Sequence, residues 1–364
     1  MSWADQRSRF PVLERYAYLN AGTFGPLARE TFDAMEEVRT RELEHGRAGP
    51  RYYEEMGERR TRVRELLAEQ LHAPLGCVAL TDSTTQAVQV AVGALGLGAG
   101  DEVVTTDSEH FGLIGPLIGV GADVRVARIR GVPAADRCEA IEAVVGPRTR
   151  LIAVSAVSWL DGAVLPWREV RQATDVPVLV DGAQAVGAID VDVTGADFFT
   201  VSAQKWLCGP DAMGALYLRE PEALSPRLIG TAGAASYDLE AATWVPKEGA
   251  ARFHPGLQPV AALAGLEAAL TNLPEGRFER ARELAERCRR SLLEVGLEVV
   301  TEPGQATLVS FRIPGDAAAL SKALFERGVI VRDLPATGTL RASVGWWNDE
   351  ADLERLVESL NLVQ

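Results

Sequence analysis

The spacing of apolar and polar positions changes twice along the chain. Between about residues 28 and 70 apolar side chains recur at helical intervals. The pattern predicts one helix from Ala28 to Leu43 and a second from Tyr52 to Leu71, the latter rich in Glu/Arg pairs at helical spacing. Beyond them, short β-type runs alternate with helical stretches. Strands are predicted at Glu102–Thr106, Asp123–Ala127, Leu151–Ser155, Val176–Val180, Phe198–Val201 and Gly214–Leu218. These runs are almost continuously apolar, as strands buried on both faces are. The fold class expected is α/β, a mainly parallel sheet with helices on both sides.

The second change falls near Pro259. A long helical stretch, Val260 to Leu293, precedes β-type runs at Leu297–Val300, Thr307–Phe311, Val329–Arg332 and Leu340–Val344, and a last helix is predicted from Asp349 to Leu360. This reads as a smaller α+β C-terminal domain. The division expected is an N-terminal segment (1–19) packing with the small domain, a large domain (20–258) and the small domain (259–364), with Pro255-Gly256-Leu257-Gln258-Pro259 near the junction. No repeats or low-complexity tracts interrupt it.

Composition narrows the class. Hydrophobic residues make up 47% of 364, enough for a sizeable core. No apolar run is long enough for a membrane span, and Met1 to Arg7 contains no apolar signal core. The four cysteines, Cys77, Cys138, Cys208 and Cys288, are scattered without metal-type or disulfide spacing, so no metal is expected and a reducing cytoplasm fits. A net charge of −14 disfavours nucleic acid and anionic membranes as partners. The 37 basic residues are 34 arginines and three lysines, Lys205, Lys247 and Lys322. In a chain that uses arginine for surface charge, a lysine invites a chemical reading, because lysine readily becomes an amine nucleophile.

That reading falls on Lys205. The run Val178-Leu179-Val180 leads straight into Asp181-Gly182-Ala183-Gln184-Ala185, and the next strand leads into Ser202-Ala203-Gln204-Lys205-Trp206. Ligands of open parallel sheets sit beyond the carboxyl ends of strands. Asp181 alone reads as readily as a turn or N-cap residue. An acid and an amine at adjacent strand ends are what pyridoxal phosphate requires: the amine forms the imine and the carboxylate keeps the pyridine nitrogen protonated. Ser83-Thr84-Thr85, at the start of a helix after Ala79-Leu80-Thr81, offer hydroxyls and free N–H groups to a phosphate. His110 follows Glu102–Thr106 and can stack on a flat ring.

In order and spacing these elements resemble the class V aminotransferase-like family of fold type I pyridoxal-phosphate enzymes. That family includes cysteine desulfurases, selenocysteine lyases, kynureninases, isopenicillin N epimerase and cysteine/cystine C–S lyases. The resemblance runs from Tyr18-Leu19-Asn20-Ala21-Gly22 to Arg341-Ala342-Ser343-Val344-Gly345. It implies a homodimer, Lys205 as Schiff-base lysine, Asp181 at the pyridine nitrogen, Gln184 near the ring hydroxyl and His110 stacked on the ring. It further implies Ser83, Thr84, Thr85, Ser202 and Gln204 around the phosphate, Arg341 on the substrate carboxylate, and Asn20 and Trp159 beside the substrate. Three departures stand out. Gln204 replaces a histidine common in the family, and Trp159 an asparagine of desulfurases. Arg252-Phe253-His254-Pro255-Gly256-Leu257 is similar to an Arg-Phe-Glu-x-Gly-Thr stretch but has lost its last hydroxyl.

A desulfurase would carry a nucleophilic cysteine shortly before Arg341, yet Val331 to Leu340 contains none. Among the branches, the C–S lyases are the most similar, through Leu80–Thr85, Thr106–His110, Ser158-Trp159, Val164–Pro166 and Lys205-Trp206. The expected reaction is β-elimination on cysteine, cystine or an S-substituted cysteine, giving pyruvate, ammonia and a sulfur product. Epimerisation and transamination on an amino-acid or peptide substrate are the alternatives. A non-enzymatic scaffold would not need Lys205 and Arg341 together.

Overall fold

The computed structural model describes residues 1–363. Its strands, in chain order, are β1 (Ala17–Tyr18), β2 (Val78–Thr81), β3 (Glu102–Thr106), β4 (Asp123–Ala127), β5 (Thr149–Ser155), β6 (Val178–Asp181), β7 (Phe198–Ser202) and β8 (Gly214–Leu218). They continue with β9 (Ala234–Asp238), β10 (Thr243–Pro246), β11 (Leu308–Arg312), β12 (Val329–Ile330), β13 (Arg332–Leu334) and β14 (Thr339–Ser343). Seven strands form the main sheet in the order β2-β8-β7-β6-β5-β3-β4. β8 runs antiparallel to both β7 and β2, while the pairs from β7 to β4 are parallel.

The continuous apolar runs are explained by two cores, one on each face. Val104, Ile152, Val154, Val178, Val180, Phe199 and Val201 point to one side, and Val103, Leu151, Ala153, Leu179 and Phe198 to the other. Strand side chains alternate between faces, so both parities must be apolar. The first face is covered by helices Pro50–Gln70, Trp167–Ala173 and Val260–Thr271, through Val63, Leu67, Val170, Leu263 and Leu266. The second is covered by helices Thr84–Ala94 and Phe111–Gly119, through Val88, Ala91, Leu113 and Leu117. Edge strand β4 departs from the expectation of double burial: Asp123, Arg125 and Val126 are exposed.

The C-terminal part has a three-stranded antiparallel sheet, β11-β14-β13. The single long helix expected from Val260 to Leu293 is two helices, Val260–Thr271 and Arg277–Glu294. Pro274 and the left-handed Gly276 (φ +72°) break it between them. The expected strand Leu297–Val300 reduces to one bridge, Val299 to Phe311, and Val329–Arg332 divides into β12 and β13. The hairpin β9–β10 was not anticipated, because Ala234–Asp238 has polar and small residues and lies exposed along most of its length.

The chain's first residues are built into the C-terminal part. β1 pairs in parallel with β12, and Asn20 bridges to Ser343. Ala17 and Leu19 share a core with Leu284, Phe311, Leu340 and Leu356. Arg7 grips Asp352 with two hydrogen bonds (2.7 and 2.9 Å), meets Asp349 at 3.1 Å and donates to the carbonyls of Trp347 and Leu13. With Asp352 only 4% exposed, this bidentate pair is poorly screened by solvent. Arg7→Ala is expected to cost about 2–4 kcal/mol, since it strands a buried carboxylate; urea unfolding of the two proteins measures it.

Candidate active site

β3, β5, β6 and β7 are neighbouring parallel strands, so their carboxyl ends open on one edge. β6 ends on Asp181, β7 leads to Lys205, β5 to Trp159 and β3 to Glu109 and His110. β2, on the far side of β8, runs in the same direction and delivers Ser83-Thr84-Thr85. Beyond strands buried along nearly their whole length, with Arg150 of β5 the exposed position, this edge is where polar side chains can gather without disrupting either core.

Asp181 is 5% exposed, and its Oδ1 accepts from Ala183 N (2.9 Å) and Thr200 Oγ1 (3.0 Å). Both bonds fall on one oxygen, which leaves Oδ2 as the acceptor for a ligand. Gly182 is required beside it, since a Cβ would overlap the Phe199 ring and the Thr200 carbonyl. Lys205 is half-buried at the rim of the same recess. Burial lowers its pKa from 10.5 to about 8; Asp181 opposes the shift and Arg341 adds to it. The amine is thereby within reach of its neutral, nucleophilic form near neutral pH.

Arg341, on β14, is 2% exposed and donates from Nη1 to the Trp159 carbonyl at 2.7 Å. Burial, then the nearby Arg332, push it down to about 10. Its Nε has no protein partner, and neither do Asn20 Oδ1, Ser343 Oγ and Trp159 Nε1, all buried. Gly22 gives Arg341 room: a Cβ there would stand 2.7 Å from Nη2 and 2.8 Å from Ser343 Oγ. Orphaned polar groups of both kinds around a buried guanidinium are matched to a small ligand bearing a carboxylate.

His110 caps helix Phe111–Gly119, its Nδ1 accepting from Gly112 N at 3.0 Å. Partial burial and the charges of Lys205 and Arg341 lower its pKa, while Asp181 works against the shift. Its ring meets Trp159 edge-on, with centroids 5.2 Å apart. Ser83 caps helix Thr84–Ala94 through Gln86 N and donates to Asp82 Oδ1 (2.6 Å), so its hydroxyl is engaged within the protein. Thr84 and Thr85 open the helix. Ser202 donates to Gln204 Oε1 at 2.9 Å, which leaves the Gln204 NH₂ group as a donor. Gln184 donates to Gly22 O (2.9 Å) and accepts from Trp206 Nε1 (3.0 Å), tying the Gly22 turn to the Lys205 loop.

Glu109 was not singled out by the sequence, although it adjoins His110 after a wholly buried strand. It is 6% exposed and accepts from Thr106 Oγ1 (2.6 Å) and from Ser155 Oγ. Ser155 stands opposite Asp181 in the β5–β6 register. Burial raises the carboxyl from 4.5 to about 7; the two hydroxyls oppose the shift and Asp181 adds to it. Thr200 was also missed, as a lone polar residue in Phe198-Phe199-Thr200-Val201.

The family model for aminotransferase class-V matches residues 17–356. The chain is 31% identical to isopenicillin N epimerase of Amycolatopsis lactamdurans, over 99% of this chain and 98% of that protein. It is 31% identical to a cysteine desulfurase of Haloferax volcanii, over 78% and 74%. The solved structure of the cystine C–S lyase C-DES with its reaction product cysteine persulfide superposes with a TM-score of 0.90, at 25% identity over 96% of this chain and 98% of that one. A further C-DES structure holds glycine covalently linked to its PLP cofactor. The chain belongs to the aminotransferase class-V family and is a pyridoxal-phosphate enzyme.

Two outcomes are expected. Borohydride reduction of the yellow holoenzyme should fix the cofactor to Lys205, and a peptide map with the label on Lys247 or Lys322 would contradict the assignment. Because the folded Glu109 holds its proton more tightly than the unfolded chain, its contribution to stability is complete below pH 4.5 and is lost as pH rises through about 7. Glu109→Gln should flatten that part of the curve of unfolding midpoint against pH.

Proposed function

We propose that the chain is a C–S lyase that performs β-elimination on cystine, cysteine or an S-substituted cysteine. The observation that carries the choice is the state of the thiols. Cys208 and Cys288 are buried, and β13, the turn after it and β14 contain no cysteine before Arg341. Burial pushes Cys288 up to about 12 and Cys208 higher still. Burial, then Glu142, raise Cys138 to about 12, and burial raises Cys77. A desulfurase needs a thiolate to receive sulfur, and burial shifts all four of these thiols away from that form. Likeness to a cystine C–S lyase over nearly the whole chain supports the same reading.

The residues present fit pyridoxal phosphate: an amine near neutrality at Lys205, an acceptor oxygen at Asp181, and hydroxyl and amide donors at Thr84, Thr85, Ser202 and Gln204. When bound, the cofactor supplies an electron sink for charge released at the substrate Cα. Asp181 Oδ2 would hold the proton on the pyridine nitrogen. Thr200 and Ala183 N fix the other oxygen, so the carboxylate cannot turn away. The His110 ring, neutral and capped at Nδ1, would lie against the cofactor's face, with Trp159 at its edge. Arg341 Nε, with Asn20 and Ser343 nearby, would bind the substrate carboxylate and orient the Cα–H bond. Lys205, as free amine, would take that proton. The sulfur bonded to Cβ leaves with its electron pair. With cystine and one water, the balanced products are pyruvate, ammonia and cysteine persulfide, and no protein thiol takes part.

Epimerisation is the second reading, favoured by likeness to isopenicillin N epimerases across the chain. It needs the same proton abstraction without loss of sulfur. A homodimer is part of the proposal. Phe24, Leu27, Tyr53 and Leu257 border an open cavity of about 1090 Å³ beside Gln204, and these four are exposed apolar side chains a second copy would cover.

The test is incubation of holoenzyme with cystine and S-substituted cysteines, followed by assay of pyruvate, persulfide and Cα–deuterium exchange. Pyruvate with persulfide is expected; exchange without pyruvate would replace the lyase by the epimerase. A variant lacking Cys77, Cys138, Cys208 and Cys288, checked for cofactor loading, should keep C–S cleavage. Arg341→Ala should raise KM by at least about tenfold, the scale of a lost charge-assisted pair.

A further inference from the structure

A second group of basic side chains, two of them buried, lies away from the catalytic recess. Helix Pro50–Gln70 turns Arg60 and Arg64 toward the segment that follows hairpin β9–β10, where Lys247 and His254 stand on either side of the short turn Gly249–Phe253. Arg60, Arg64, Lys247 and His254 line one cavity of about 630 Å³. Arg60 is 8% exposed, and its Nε and Nη2 have no partner. His254 is 1% exposed, and neither ring nitrogen has a partner. Arg64 is spent on the carbonyls of Val78 and Leu75, and Lys247 Nζ on that of Ala232. Three carboxylates also line this cavity: Glu54 and Glu58 are exposed, and Glu65 pairs with Arg62.

Burying an arginine without a counter-charge costs several kcal/mol as a general matter. A neutral buried histidine with two idle nitrogens adds to that cost. The charges that act on His254 are all positive: burial, then Arg64, Arg60 and Lys247, drive it well below its ordinary pKa, and no carboxylate perturbs Arg60, although Glu65 acts on Arg64. What Arg60 and His254 lack, with three glutamates on the same cavity, is an acceptor of their own.

We propose that Arg60, His254 and Lys247 form a binding site for a small oxyanion of the phosphate or sulfate type. An oxyanion of this type can accept from Arg60 Nε and Nη2 and from a His254 N–H while it neutralises Lys247 and Arg64. It would tie helix Pro50–Gln70 to hairpin β9–β10 and to the turn leading to Leu257. The site is independent of the reaction assigned above.

The test is titration of holoenzyme with inorganic phosphate in Tris–chloride at constant ionic strength, read by calorimetry and by the unfolding midpoint, with cofactor absorbance confirming that loading is unchanged. One saturable site per chain is expected, with hydrogen exchange in β9–β10 slowed by phosphate. Lys247→Met and Arg60→Leu should weaken binding by about tenfold or more, the scale of a lost charge-assisted hydrogen bond, and Arg341→Ala should not. Because Arg60→Leu risks misfolding, His254→Glu provides a second arm. It offers Arg60 a built-in carboxylate, so the midpoint should rise without phosphate and stop responding to it. No saturable binding by the native protein, an unchanged response in His254→Glu, or loss of binding in Arg341→Ala alone would overturn the proposal.

Discussion

Burial acts on three charged side chains that meet at the carboxyl edge of the main sheet, Lys205, Arg341 and Glu109. It brings the Lys205 ammonium down to about 8 and the Arg341 guanidinium to about 10, and lifts the Glu109 carboxyl to about 7. Burial is the largest cause of each shift, and it follows from a sheet apolar on both faces that gathers most of its polar groups where strands end. Asp181 sits among them and acts on all but Arg341, restraining the shift of Lys205 and adding to that of Glu109. Removing its charge would alter the protonation of Lys205 and Glu109 as well as any contact proposed for it with the cofactor.

The main sheet was legible in the sequence because its signal is local. β3, β4 and β8 fall on the expected residues, and β5, β6 and β7 differ by two residues or fewer at either end. The C-terminal part was less legible. Val260 to Leu293 is helical in spacing throughout, and only the backbone constraint at Pro274 and Gly276 divides it. Hairpin β9–β10 has no alternation to betray it, since little of it is buried. At the site, Lys205 and Asp181 were visible as polar residues after apolar strands. Glu109 and Thr200 were not, because their meaning depends on which strand lies next to which. Ser155 becomes the partner of Glu109 only through the adjacency of β3 and β5.

Family membership and chemistry separate at this point. Desulfurases, epimerases and a C–S lyase share the scaffold, and proton removal at Cα serves epimerisation and elimination alike. What distinguishes them is the fate of charge once the proton has gone: a thiol to receive sulfur, a second acid to return the proton, or a leaving group on Cβ. The thiols of this chain, each shifted up by burial, bear on the first of these alone. Trp159, whose ring meets His110 edge-on and whose carbonyl accepts from Arg341, would bear on the other two.

The pairing of β1 with β12, and of Asn20 with Ser343, has a consequence for how the molecule is made. These partners lie almost the whole chain apart, a high contact order that delays their closure. At translation rates of roughly 5–20 residues per second, residues 17–20 wait roughly 15–60 seconds for the segment that contains Arg341. A nascent chain on the ribosome can therefore assemble the main sheet, with Lys205 and Asp181 in place, before Arg341 has been made. On the roles proposed for these residues, capacity to hold the cofactor would precede capacity to hold an amino acid.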